Sequence, residues 1–162
     1  MGAKIAGLAQ VIENLDAFRS EIGTTAIRDG ARAAARVYAQ AEREAAPVLL
    51  HKDAHSTALD PGAIRDDIRV TAPTVDESGI VHVFVGPGKR TRRVAGWVEW
   101  GHRLVKRGYS EMLANGKTRG PGEEVGSVRP HPFLRPSYER SQQEAVQAFT
   151  KAAAGRLRRW MR

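Results

Sequence analysis

The chain has 162 residues, of which 41% are hydrophobic and 27% are charged, and its net charge of +8 corresponds to a pI near 10.4. This length favours one domain with a core of its own, and the positive charge indicates an anionic partner such as nucleic acid, a membrane surface or an acidic protein. With no cysteine and no apolar run near the ~20 residues that cross a bilayer, the sequence excludes disulfides, cysteine metal sites and a membrane-spanning helix, and favours a protein of a reducing cytoplasm.

The N-terminal third of the chain is predicted to be helical. Apolar residues recur at helical spacing in residues 1–22, which predicts a short amphipathic segment. After Gly23, residues 24–46 carry an apolar stripe made mostly of alanine, which predicts a second helix that packs closely on its neighbour and ends at Pro47. The stripe consists of Ile27, Ala31, Ala34, Tyr38, Ala41 and Ala45.

The middle of the chain, residues 64–101, is predicted to form a small antiparallel sheet. Residues 64–70 alternate weakly between apolar and polar, and residues 80–85 carry the strongest strand pattern of the chain. Residues 94–101 read VAGWVEWG. This short apolar run, broken by small residues, predicts a further strand that another backbone can approach closely.

The C-terminal third is predicted to be a long loop followed by a helix. Residues 102–128 contain five glycines and no periodicity, which predicts a loop that is either disordered or ordered by a partner. Residues 129–136 include the proline-rich sequence PHPFLRP, which predicts a rigid, partly apolar finger. Ser137 is predicted to cap a helix over residues 137–161, whose last turns are rich in arginine. The whole pattern predicts an α+β fold, with a small antiparallel sheet packed by a long N-terminal helix and a C-terminal helix, and with long extended loops.

Few residues indicate chemistry. His51 and His55 have the spacing of a helical metal site, but no acid follows as in HExxH, so exposed histidines are favoured. Asp66 and Asp67 are predicted to be one solvent-facing and one turn-stabilising carboxylate. We expect Glu99, between two tryptophans, to form a structural or intersubunit salt bridge, since burial raises the pKa of a carboxyl unless an arginine or backbone amide satisfies it. No catalytic residue, metal ion or cofactor is predicted.

The loop of residues 86–93, GPGKRTRR, is strongly basic and contains Lys89, Arg90, Arg92 and Arg93. Its glycine and lysine spacing does not match a phosphate-binding loop. Together with the C-terminal arginines it could bind phosphates without reading sequence, although no known nucleic-acid-binding motif accompanies it. The alternatives are a solvated loop tip or a contact with an acidic neighbouring subunit.

Four segments occur in an order that is typical of one protein family. They are an alanine-rich helix ending in Ala46-Pro47, PGAIRDDI at residues 61–68, VAGWVEWG, and PHPFLRPSYE running into a helix. Over residues 20–162 this set resembles the head–tail joining proteins of long-tailed bacteriophages, the gene-product-ten-like neck and tail-completion family. The matching positions are Gly62, Ile64, Arg65, Ile68, Ala95, Val98, Glu99, Trp100, Gly101, Pro132, Phe133, Leu134, Arg135 and Pro136. The chain departs from the family pattern by the inserted residues 48–60, by Trp100 and His102, and by the length of residues 102–128.

The resemblance implies a structural virion protein without enzymatic activity, assembled in the bacterial host cytoplasm into a ring, commonly of six subunits, at the head–tail junction. Its partners would be further copies, connector or stopper proteins, and tail-terminator or tail-tube proteins, with non-specific contact with genome DNA in the lumen and no membrane contact. The basic loop would face the lumen or an acidic ring. The expected subunit or partner interface consists of Trp97, Glu99, Trp100, Pro130, Pro132, Phe133, Leu134, Arg135 and Pro136.

Other classes of function remain open from the sequence. A tail-terminator ring is a close relative of the neck ring. A non-specific nucleic-acid-binding protein is supported by charge alone. A hydrolase would have only His51, His55 and Glu99 as candidate residues.

Overall fold

A computed structural model describes residues 23–48, 59–106 and 123–160. The predicted segment 1–22, both His51 and His55, and the middle of the predicted loop 102–128 lie outside the described residues. The α+β class is confirmed, because two long helices pack on each other beside small antiparallel ladders. The elements in chain order are α1 Thr24–Ala45, α2 Ala63–Asp66, β1 Ile68–Val70, β2 Thr74–Val75, β3 Val81–His82, β4 Val85–Pro87, α3 Arg92–Trp100, β5 His102–Lys106, β6 Glu123–Val128 and α4 Leu134–Trp160.

Helices α1 and α4, which are far apart in the sequence, pack on each other as an antiparallel pair. The packing is close because small residues face the partner helix: a Cβ on Gly30 would lie 2.8 Å from the ring of Phe149. Further along, the rings of Tyr38 and Tyr138 stack with centroids 4.7 Å apart. The helix predicted over residues 24–46 is confirmed and ends before Pro47, as the missing amide and fixed φ of proline require.

The buried face of α1 is shifted from the predicted stripe. The buried residues are Ala26, Gly30, Ala35, Ala39 and Glu42, whereas Ile27 is 44% exposed. The buried face differs from the apolar stripe because α1 contacts β1, β3 and β4 as well as α4. A stripe read only from apolar residues cannot include a buried glycine or glutamate.

The strands pair as three separate two-stranded antiparallel ladders in the described part of the chain, and not as one sheet. β1 pairs with β4, with Ile68 opposite Pro87 and Val70 opposite Val85. The strand predicted over residues 64–70 is therefore correct only in its second half, because residues 63–66 form the short helix α2. The strand predicted over residues 80–85 is divided between β3 and β4.

The strand predicted over residues 94–101 is wrong, because this segment forms helix α3. Its inward side chains follow the helical period: Ala95 is 1% exposed and Glu99, four residues later, is 5% exposed. A short apolar run does not distinguish a strand from a buried helix. The helix ends at Gly101, whose φ of 71° lies in the left-handed region.

The predicted loop and capping site are also corrected. Both ends of residues 102–128 form strands, β5 and β6, which pair with each other. Helix α4 begins at Leu134, one turn before Ser137. Ser137 is buried inside the helix, where its hydroxyl donates to the carbonyl of Phe133, so it is not the N-cap.

The core lies where α1, α2, β1, α3 and the start of α4 meet. Among the described residues, its fully buried part contains two large aliphatic side chains and one aromatic ring, and half-buried apolar residues pack against them. Its buried members are Ala39, Ala46, Ile64, Ile68, Ala95 and Phe133. A core of this size leaves many large apolar side chains at the surface, and their positions define the candidate site.

Candidate assembly surface

Glu99 joins α3 to the start of α4. Its carboxylate accepts hydrogen bonds from the backbone amides of Phe133, Leu134 and Arg135, with distances of 2.7, 2.9 and 3.2 Å. These amides belong to the first turn of α4, so Glu99 satisfies donors that the helix itself leaves free. Burial raises the pKa of Glu99, but the three amides outweigh burial and hold the pKa below its ordinary value. The expected salt bridge is thus replaced by a cap within the same chain.

The outer side of α3 presents two tryptophans to solvent. Trp97 is 40% exposed and Trp100 is 68% exposed. The guanidinium of Arg93 lies 5.0 Å from the Trp97 ring centroid, and that of Arg135 lies 5.5 Å from the Trp100 ring centroid. The opposite face of α3, which carries Ala95 and Glu99, is buried, so the helical period places the two tryptophans outside.

Strands β5 and β6 form an arm, defined here as His102–Lys106 and Glu123–Val128, that continues from the end of α3. Its two strands contact each other extensively and contact other described elements little. At its base, the amide of His131 donates to the carbonyl of Val98 at 2.7 Å. A Cβ on Gly101 would lie 2.5 Å from the carbonyl oxygen of Val128, so only glycine allows this close approach.

The arm extends the apolar surface of α3. The register places His102 opposite Val128 and Leu104 opposite Gly126, so these four residues share one face of the ladder. His102 stacks on Trp97 with ring centroids 5.2 Å apart, which turns this face towards the tryptophan. Leu104 and Val128 are 42% and 40% exposed. We call the surface formed by Trp97, Trp100, Leu104 and Val128 the aromatic face.

The proline-rich segment, residues 130–136, runs into the first turn of α4, and its side chains are divided between the interior and the surface. Pro130, Pro132 and Arg135 are exposed, and Leu134 and Pro136 are half-buried. Phe133 is only 2% exposed and packs in the core of its own chain. Phe133 and Glu99 are therefore not available to a partner. The assignment of the other seven residues to a subunit interface stays a prediction.

The basic loop is held in place by buried polar contacts. The hydroxyl of Thr91, which is fully buried, donates to the carboxylate of Asp67 at 2.9 Å, and the amide of Gly88 donates to the Asp67 carbonyl at 2.9 Å. Burial raises the pKa of Asp67, but Thr91 and Arg69 outweigh it and hold the pKa below its ordinary value. Asp66 is exposed beside Arg65. The expected pair of one solvent-facing and one turn-stabilising carboxylate is confirmed.

The four cations of the basic loop are not equivalent. Arg90 pairs with Asp60 at 3.5 Å, and Arg93 lies over Trp97. Lys89 and Arg92 are exposed and make no ion pair with the described residues. They border an open groove of about 770 Å³ beside β4. The groove is lined by Arg69, Thr71, Phe84, Val85, Gly86, Pro87, Gly88, Lys89, Arg90 and Arg92.

Glu42 is an unusual buried group that the sequence analysis missed. It is 8% exposed, and its Oε2 has no hydrogen-bond partner among the described residues. Burial raises its pKa to about 7, with Arg43 opposing the change and Glu99 adding to it. Its position in the series Ala35, Ala39, Glu42 and Ala46 places it on the buried face of α1. This helical spacing is the feature of the sequence that could have predicted the burial of Glu42.

The described residues offer little for metal binding or membrane insertion. No group of three or more potential metal-ligating side chains occurs among them. No helix within the described ranges has the length and hydrophobicity to cross a bilayer. Comparison with known proteins supplies no family for the chain, since no protein-family model, no curated protein and no solved structure matches it.

Proposed function

We propose that the chain is a structural protein of a bacteriophage virion, and that it forms a ring at the junction between head and tail. The ring completes the neck or tail and joins the capsid connector to the tail. The proposal combines the ordered sequence motifs with the surface described above. A ring at the end of the tail, as a tail terminator, is the neighbouring alternative within this proposal.

The observation that carries the proposal is the arm. A ladder of two short strands is only marginally stable in water unless a further strand or a helix covers it. Among the described residues, the arm has such cover at its base, where His102 stacks on Trp97. Both outer edges of the ladder remain open in the described part of the chain. Association with another molecule would cover these edges and stabilise the arm.

The aromatic face supports the same conclusion. Interface centres are enriched in tryptophan and arginine, which here alternate as two cation–π pairs on α3 and the start of α4. The arm continues directly from α3, which lies beside the start of α4. An interface that joins this face to a different surface of the next copy is head-to-tail, and head-to-tail contacts form a ring when the rotation between successive copies closes.

The experiment is deletion of the coding sequence in the bacterium that produces the particles. We expect separate full heads and separate tails in electron micrographs, and joined particles when the parent chain is supplied from a plasmid. Supply of Trp100→Ser should fail to restore joining, because this exposed side chain lies on the aromatic face. Val146→Ser, which removes a 58% exposed apolar side chain from the middle of α4 and outside the aromatic face, is the control and should restore it. Joined particles in the deletion strain would refute the proposal.

A further inference from the structure

The positive charge of the antiparallel pair formed by helices α1 and α4 is concentrated at one end of the pair. Residues 24–35 of α1 and residues 147–160 of α4 carry six cations and a single carboxylate. The remaining residues of the two helices carry four cations and four carboxylates. We call the first region the basic end. Its cations are Arg28, Arg32, Lys151, Arg156, Arg158 and Arg159.

The antiparallel packing brings these cations together although they are more than 100 residues apart in the sequence. Phe149 packs against Gly30, and Arg156 lies 3.5 Å from the carboxylate of Asp29. The last turns of α4 therefore lie beside the first turns of α1. Arg28 and Arg32 are four residues apart on α1, so their Cα atoms are about 6 Å apart along the helix axis.

The cations of the basic end are exposed and largely unneutralised. All six side chains are exposed to solvent. Within the part of the chain that the structure describes, Arg156 is the one member with an ion pair, and it uses the single carboxylate. Exposed like charges at this density repel one another, and this repulsion is relieved when a polyanion binds.

We propose that the basic end binds the phosphate backbone of double-stranded nucleic acid without reading its sequence. Five of the six cations are arginines, whose planar guanidinium groups donate two parallel hydrogen bonds to a phosphate. On α1 the residues four positions before and after Arg32 are Arg28 and Arg36, which are also exposed, so a phosphate backbone that lies along this face meets several guanidinium groups.

The surface composition favours nucleic acid over a protein or a membrane. A stable protein interface has an apolar centre, and a membrane-binding helix has a continuous apolar face. At the basic end the exposed large apolar side chains are Ile27 and Trp160, which lie on different helices. The aromatic face, by contrast, has the composition of a protein interface and lies on other elements.

This inference does not depend on ring formation. A duplex-binding monomer and a ring that contacts DNA would both use the basic end. It is also distinct from the basic loop, where Arg90 and Arg93 are already engaged by Asp60 and Trp97.

The test is binding of the full chain to a fluorescent duplex of about 30 base pairs, followed by anisotropy between about 50 and 200 mM salt. The test variant is Arg32→Gln/Arg158→Gln, with one change on each helix at the basic end. The control is Arg129→Gln/Arg140→Gln, which makes the same changes at two exposed arginines outside the basic end. Circular dichroism melting checks that each variant is folded, and a second pair, Arg28→Gln/Arg159→Gln, replaces the test variant if it is not.

We expect the slope of log affinity against log salt to be about −4 to −5 for the parent, with about 0.9 lost for each phosphate contact removed. The test variant should lose about 1.8 of this slope and bind about 50-fold more weakly near 0.1 M salt. The control should change affinity by less than about 3-fold. The inference would be overturned if the test and control variants lost the same affinity, or if the parent did not bind the duplex at the lowest salt. It would also be overturned if the parent bound poly-glutamate as tightly as the duplex, or bound anionic lipid vesicles but not the duplex.

Discussion

Replacement of the buried Glu42 by glutamine should remove a pH dependence from the stability of the fold. Burial raises the pKa of Glu42 to about 7 from an ordinary value of 4.5. The folded chain therefore holds this proton more tightly than the unfolded chain does. The stability that the proton confers is fully present at pH values below 4.5 and is lost as the pH rises through about 7.

The size of the effect follows from the pKa difference. At about 1.4 kcal/mol for each pKa unit, ionisation of Glu42 in the folded state costs about 3 kcal/mol at pH 8.5. Close to pH 4.5 the cost is below about 0.5 kcal/mol. The Glu42→Gln variant keeps the shape of the side chain and cannot ionise. Relative to the parent, it should therefore gain about 3 kcal/mol between these two pH values.

Urea denaturation followed by far-ultraviolet circular dichroism measures this gain. The midpoint of Glu42→Gln should move upwards relative to the parent by about 1 to 2 M urea over this pH range. Glu144→Gln removes an exposed carboxylate from α4 and is the matched control, which we expect to follow the parent. Parallel pH profiles for the parent and Glu42→Gln would refute the argument, because Glu42 would then titrate at the same pH in the folded and unfolded states.

Three further substitutions test the contacts that hold α3, the arm and α4 together, and each is measured by urea or thermal unfolding. Glu99→Ala should cost about 2 to 4 kcal/mol, because it leaves the first amides of α4 without an acceptor, and Glu99→Gln should cost less; equal costs would show that the charge contributes nothing. Gly101→Ala should cost about 2 to 4 kcal/mol through its positive φ and the clash with a backbone carbonyl, whereas Gly96→Ala, in an open position of α3, should cost nothing. Phe133→Ala should cost about 3 to 5 kcal/mol, and a loss below about 1 kcal/mol would contradict its place in the core.

The long helices were predictable because their periodicity extends over many residues. The apolar pattern in residues 24–46 extends over enough turns to predict the helix and its end at Pro47. The buried face observed in the structure lies roughly one residue away from the predicted stripe. Residues 94–101 are too few for a period to be read. They pack as a helix because Ala95 and Glu99, one turn apart, meet the core and the start of α4. This choice depends on tertiary contacts that a local pattern does not contain.

Only part of the candidate site was predicted, because the contacts that define it are made by residues far away in the sequence. The isolated carboxylate between two tryptophans correctly marked Glu99 as a special group, but its partners are backbone amides 34 to 36 residues away. The sequence does not indicate which backbone amides donate hydrogen bonds to a side chain. The arm was missed because its strands are short, rich in polar residues and interrupted by Gly126. The concentration of charge at the basic end becomes visible only when the antiparallel packing of α1 and α4 is known.

The solution mass of the purified chain tests the central claim most directly. Light scattering or mass photometry should detect a closed particle of about six chains, each of 17.7 kDa, and Trp100→Ser should shift the mass to that of a single chain. Circular dichroism of the variant should still show a folded domain, since Trp100 is 68% exposed. A folded parent chain that stays monomeric at the highest attainable concentration, with a mass unchanged by Trp100→Ser, would contradict the account.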